Sequence, residues 1–219
     1  MTGKLYTAST LIFTEFLVAA ILGAAGTFPD PAIDAEHPAK AGDQTAVVAG
    51  GCFWCTEAVF EELAAVKKVV SGYAGGKADM AKYDLVSAGR TAHAEVIQIT
   101  FDPSKISYGQ LLKVFFAAAH DPTQLNRQGP DYGRQYRSAI FYSSPEQKRI
   151  AEAYIKQLGQ AKVFDKPIVT EVVELKGFYP AEGYHQDFVK RNPAHPYVVV
   201  NAVPKVHKTR KEFAALVKK

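Results

Sequence analysis

Short β-prone runs alternate with helix-patterned stretches along residues 45–175, and that alternation limits the folds open to the chain. Thr45–Ala49 reads as a strand that stops at Gly50-Gly51. Apolar positions at Phe53, Val59, Phe60 and Leu63 then pattern a helix over Cys52–Val66. Lys67–Tyr73 and Glu95–Phe101 read as strands, closed by Gly75-Gly76 and by Asp102-Pro103. An amphipathic helix is expected over Ser107–Ala119, with Ser107 as its cap. A loop rich in Pro, Gly, Asn and Arg covers Asp121–Gln135. A strand at Arg137–Tyr142, a helix at Pro145–Leu158 opened by its proline, and a strand at Ile168–Leu175 follow. The order strand, helix, strand, strand, helix, strand, helix, strand is close to a split βαβ plan with additions. The expected class is α+β: a two-layer α/β sandwich on a ferredoxin-like core.

The chain has 219 residues, 47% hydrophobic and 22% charged, which suits a globular domain with tails rather than a disordered protein. A core of that size needs no disulfide staples, so the two cysteines are free for chemistry. The net charge of +4 is spread along the chain. Nucleic-acid binders concentrate Lys and Arg on one face, so no nucleic-acid partner is expected. The densest basic stretch, residues 205–219, reads as a solvated C-terminal helix or tail.

Residues 1–26 differ from the rest. Lys4 precedes an apolar run, Leu11–Gly26, broken by Thr14 and Glu15 and ending in Ala24-Ala25-Gly26. This reads as a signal peptide, with export as the expected location. Glu15 is costly inside lipid. The alternatives are an uncleaved membrane anchor, the one case in which a membrane is a partner, and a cytoplasmic protein. Residues 27–44 hold three prolines and read as a linker, leaving a folded domain over 45–204.

Gly50-Gly51-Cys52-Phe53-Trp54-Cys55-Thr56-Glu57 joins the first strand to the first helix. Free amides at a helix start favour a thiolate, the attacking form of cysteine. Glycines let the backbone turn sharply and leave the sulfur approachable. Cys55, three residues on, is within reach of an oxidised Cys52 if the geometry allows. A haem attachment site needs a His where Thr56 stands. A structural zinc site needs four ligands, and there is no second cysteine pair. A thioredoxin-like disulfide oxidoreductase stays open, although Phe53-Trp54 is a bulky insert. A non-catalytic binding module that uses the aromatic pair is a second alternative. His93, His120 and His185 offer a metal site or a Cys–His pair in principle; no metal is expected.

Further segments carry a resemblance. Gly51-Cys52-Phe53-Trp54-Cys55, Gly72-Tyr73-Ala74-Gly75-Gly76, Thr91-Ala92-His93-Ala94-Glu95 and His120-Asp121-Pro122-Thr123 are four of them. Asn126-Arg127-Gln128-Gly129, residues 131–138, residues 178–182 and Tyr184-His185-Gln186 complete the set. In this order they resemble the A-type peptide methionine sulfoxide reductases, over about Val47–Phe188. The one departure is Ala92, where the family usually has Gly; it is expected to tighten the turn presenting Glu95.

The resemblance implies a catalytic domain that reduces the S epimer of methionine sulfoxide, in oxidised proteins or as the free amino acid, repairing oxidative damage. It makes Cys52 the nucleophile and Glu95 the acid. Tyr83 and Tyr136 are the implied donors to the sulfoxide oxygen, with Asp131 supporting them. Phe53 and Trp54 are the implied walls for the S-methyl group. Many relatives keep a recycling cysteine near the C-terminus; here Cys55 is the only intramolecular candidate. No bound cofactor is implied, only an external dithiol such as thioredoxin or an equivalent.

Overall fold

The computed structural model describes residues 28–37 and 42–219. The expected signal segment, residues 1–26, lies outside the described residues. Six strands form one sheet in the order β7-β6-β1-β3-β2-β8. They are β1 (Gln44–Gly50), β2 (Val66–Ala74), β3 (Ala94–Phe101), β6 (Ser138–Tyr142), β7 (Glu171–Glu174) and β8 (Phe178–Pro180). A two-residue pair, β4 (Arg127–Gln128) and β5 (Asp131–Tyr132), forms a small hairpin apart from it. β3 lies antiparallel between β1 and β2, so β1 and β2 run parallel with a strand between them. β6 joins the other edge of β1. That is the split βαβ core, and the fold is mixed α+β as expected. β7 and β8 are the additions, one on each edge, and only β7 pairs in parallel.

Strand alternation sorts the residues between two faces. Ala46, Val48, Tyr73, Ile97, Ile99, Phe101 and Ile140 face the helices in the main core. Val47, Ala49, Ala74, Ala94, Val96, Ala139 and Phe141 form a smaller cluster on the other face, covered by Val173, Leu175 and Phe178. Glu95 has the parity of Ile97 and Ile99, so its carboxyl enters the helix side.

The helices are α1 (Phe53–Glu61), α2 (Tyr83–Ser87), α3 (Tyr108–Val114), α4 (Pro145–Gln160), α5 (Phe188–Arg191) and α6 (Val203–Glu212). α1 is shorter than expected. Residues 62–65 leave it, and Ala64 N–H donates to Leu216 O at 2.8 Å instead. Ser107 caps α3 in a full capping box with Gln110. The helix beyond Val114 widens into a π-turn over Phe115–Ala119, so the expected single helix is two geometries.

The stretch expected to be a linker lies against the domain. Asp34 accepts from Gly109 N–H at 2.7 Å and from the Ser107 hydroxyl, Tyr154 donates to Pro29 O at 2.6 Å, and Lys113 pairs with Asp30. The stretch expected to be a solvated tail also packs. Val206, Thr209 and Phe213 are buried, and Val217 bridges to Leu63 beside α1. Apolar positions among the lysines mark one helical face there, which a reading of charge alone passes over.

Candidate active site

Cys52 is the residue before the first turn of α1, with φ −55° and ψ 122°. Gly51 ahead of it has φ +87°, and a Cβ there would stand 2.4 Å from Gln128 Cβ. Only glycine accepts that angle and that approach together. Gln128 in turn clamps the His120–Asp121 loop, accepting from Asp121 N–H and donating to Asp121 O. The hairpin carrying Asp131 is thereby fixed beside the cysteine turn.

Cys52 and Cys55 are both reduced and buried. Burial pushes the Cys52 thiol well above its usual value, and the neighbouring Cys55 and Glu95 add to the rise. Cys55 moves the other way, because Cys52 hydrogen-bonds to its sulfur, with Lys205 and Tyr197 helping. Of the two thiols, Cys55 is therefore the more readily ionised. Amides at the start of a helix are expected to stabilise a Cys52 thiolate. The structure commits the Phe53 amide elsewhere: it donates to Glu95 Oε2 at 3.1 Å.

Glu95 is 2% exposed. Burial raises its pKa to about 8 against the pull of the Phe53 amide, with Asp131 and Cys55 adding to the rise. Its carboxyl is therefore neutral and able to donate at neutral pH. Arg137 holds the preceding turn, donating to Ala92 O at 3.3 Å and pairing with Glu171. Among the described residues, positive φ outside glycine occurs at Asn126, Lys162 and Asp187, so Ala92 sits there without backbone strain.

Tyr83, Tyr136 and Asp131 converge on the same charges. Burial raises Tyr83 to about 12, and Glu95 and Cys52 contribute. Tyr136 is also raised by burial, with Glu95, Asp131 and Cys52 behind it. Asp131 is raised by burial, opposed by a bond donated from the Tyr197 hydroxyl.

The aromatic pair divides in two. Phe53 is 1% exposed and packs on Tyr73 and His185. Trp54 is half-buried at the rim, stacked on Phe188 at 3.8 Å between centroids, with Tyr197 edge-on at 5.9 Å.

The three histidines do different work. His120 bonds Phe115 O and the Ser138 hydroxyl, and burial lowers it to about 3. His93 accepts from Gly76 N–H and donates to Lys77 O, fixing the Gly75-Gly76 turn. His185 alone enters the site, accepting the Trp54 indole N–H at 3.1 Å on Nδ1. Glu182, with Oε2 4.0 Å from His185 Nε2, accepts from both Tyr73 O–H and Tyr83 N–H.

Sequence reasoning missed Tyr197 and Phe188 as site residues. His185 and Glu182 stood in matched segments, but nothing around Tyr197 in Asn192-Pro193-Ala194-His195-Pro196 singles it out.

A family model described as peptide methionine sulfoxide reductase matches residues 44–217. The chain belongs to that family. As an enzyme of it, the chain reduces methionine sulfoxide, which decides against the thioredoxin-like and binding-module readings. A peptide methionine sulfoxide reductase MsrA 2 from Synechocystis is 56% identical over 188 residues, covering 85% of this chain and 88% of that protein. Another MsrA 2, from Mesorhizobium japonicum, is 54% identical, with 83% and 93% covered. Among solved structures, reduced Mxr1 from Saccharomyces cerevisiae superposes with a TM-score of 0.64 at 33% identity, over 70% of this chain and 87% of that one. Methionine sulfoxide reductase A of Corynebacterium diphtheriae gives 0.62 at 34%, over 72% and 78%.

Proposed function

We propose that this reductase acts on the S epimer, protein-bound and free, through a Cys52 sulfenic acid and then a Cys52–Cys55 disulfide. The observation that carries the reading is the neutral Glu95 carboxyl bonded to the amide that follows Cys52. A sulfoxide sulfur is a poor electrophile until its oxygen is protonated. Glu95 supplies that proton, with Tyr83 and Tyr136 as further donors and Asp131 supporting them. Phe53 and Trp54 receive the S-methyl group; sulfur against aromatic rings gains roughly 0.3–1.5 kcal/mol. Attack by Cys52, whose thiol proton returns to Glu95, releases methionine and leaves the sulfenic acid. Cys55 closes the disulfide and water departs. An external dithiol, thioredoxin or a counterpart outside the cytoplasm, restores the thiols by exchange. Export, with a mature chain starting near Thr27, fits the composition of residues 1–26.

The test is a dithiothreitol-driven assay with the two sulfoxide epimers supplied separately. Cys52→Ser should abolish reduction of the S epimer, because a hydroxyl is no substitute nucleophile at neutral pH. Cys55→Ser should still release one methionine per protein. Removing Cys55 takes away two influences that raise the Cys52 pKa, so attack survives. Multiple turnovers should persist with dithiothreitol and fall sharply with thioredoxin. Appreciable activity in Cys52→Ser, or thioredoxin-driven turnover unchanged in Cys55→Ser, overturns the scheme.

A further inference from the structure

We propose that Tyr197 is the proton carrier for disulfide closure, a role that rests on the reductase scheme above. Its hydroxyl donates to Asp131 Oδ2 and faces the sulfurs of both Cys52 and Cys55. Its ring is fixed edge-on to Trp54, which is itself clamped between Phe188 and His185. The tyrosine stands at the start of the π-turn Val198–Ala202, which packs on α1 and leads into α6. One hydroxyl is thus held by a carboxylate at the place where sulfenic acid and second thiol must meet.

The chemistry of closure needs such a group. When Cys55 attacks Cys52 Sγ, the S–S bond forms as the S–O bond breaks. Both sulfurs end at the same oxidation level, so no outside electron acceptor or donor takes part. The oxygen leaves as hydroxide unless it gains a proton, and hydroxide is a poor leaving group in a buried site. Cys55 must also lose its own proton on bonding. Tyr197 links the two needs: its proton passes to the departing oxygen while the Cys55 thiol proton returns to the phenol. The product is one disulfide and one water. Glu95 bonds the Phe53 amide, whereas the Tyr197 hydroxyl lies against both sulfurs.

The role predicts a split between half-reactions that a packing role would not produce. Fully reduced wild type, Tyr197→Phe and Asp131→Asn are each mixed with one equivalent of methionine S-sulfoxide and no reductant. Methionine release reads the first step. Intact mass, with dimedone added to trap Cys52 sulfenic acid, reads the second. In Tyr197→Phe, release should slow less than about 3-fold, while disulfide formation slows more than 10-fold and the dimedone adduct accumulates. Asp131→Asn, which keeps the phenol but weakens its anchor, should show a smaller loss in the second step. Equal slowing of both steps in Tyr197→Phe, or disulfide formation that keeps pace with release, overturns the proposal. If Tyr197→Phe fails to fold, an Asp131→Asn protein that closes its disulfide at the wild-type rate overturns it as well. No methionine release from wild type would instead refute the reductase scheme, a distinct result.

Discussion

Glu95 is a carboxyl on a strand otherwise given to Val96, Ile97, Ile99 and Phe101, and its environment decides its chemistry. Below its pKa of about 8 it is neutral and can donate; above that it is a buried anion facing Cys52. The rate of a single turnover should therefore fall as pH rises through about 8, on the alkaline limb alone. Glu95→Gln keeps the shape and accepts the Phe53 amide but has no proton to give. Its rate should be lower by about 10²–10⁴-fold near neutrality, with that limb gone. A mutant that keeps both the rate and the alkaline fall would place the acid elsewhere. Glu95 was legible only through the resemblance carried by residues 91–95, because a lone glutamate at the head of a strand reads as a surface charge. Tyr197 was not: a lone tyrosine after a proline carries no periodic signal, and its bond to Asp131 spans 66 residues of chain.

α1 joins the nucleophile to the rest of the site, and its interior holds a second unusual acid. Glu57 is 2% exposed, and burial, helped by Glu61, raises its pKa to about 7 although the Asp187 amide bonds to it. That amide belongs to a residue with φ +51°, at the turn between His185 and α5. The folded protein holds the Glu57 proton to higher pH than the unfolded chain does. Its ionisation therefore subtracts stability progressively between about pH 4.5 and 7, by up to about 3 kcal/mol, and the loss stays in place above that window. Glu57→Gln should match wild type in thermal melts at pH 4.5 and exceed it at pH 8. A variant with no gain at pH 8 would mean that the carboxylate is well solvated there. Among the elements, long periodic ones were readable: β1, β3, β6 and α4 came within a few residues of their spans. α2 with five residues and β8 with three were missed, because fewer than two turns or two alternations give no period to detect. The π-turn before α6 broke the helical pattern in the same way, and Pro204 then looked like an end.

At the scale of the whole molecule, both ends of the described chain brace the layer of helices. The C-terminal residues close on α1: Lys218 N–H donates to Glu62 O, and Arg210 pairs with Glu62. The N-terminal residues brace α3 and α4. Asp34 adds a carboxylate at the N-terminus of α3, where it meets the positive end of the helix dipole and an unpaired amide. Gln157 of α4 donates to Asp30 O and accepts from Ala32 N–H, and Phe28 meets Phe164 edge to face at 6.0 Å. Composition hid this, because prolines and small residues look the same in a free linker and in an extended segment laid on a surface. The consequence is a difference between two chains, one starting at Thr27 and one at Asp43. Losing one helix-end carboxylate costs about 0.5–2 kcal/mol, and the lost aromatic and main-chain contacts add to it. For a domain of this size each kcal/mol lowers Tm by roughly 2–4 °C. The shorter chain should therefore melt several degrees lower, while its single-turnover rate at 25 °C stays near that of the longer one, since none of residues 28–37 touches the cysteine site. Asp34→Ala in the longer chain should reproduce part of the drop. Equal melting of the two chains would show that residues 28–37 contribute nothing to stability in solution.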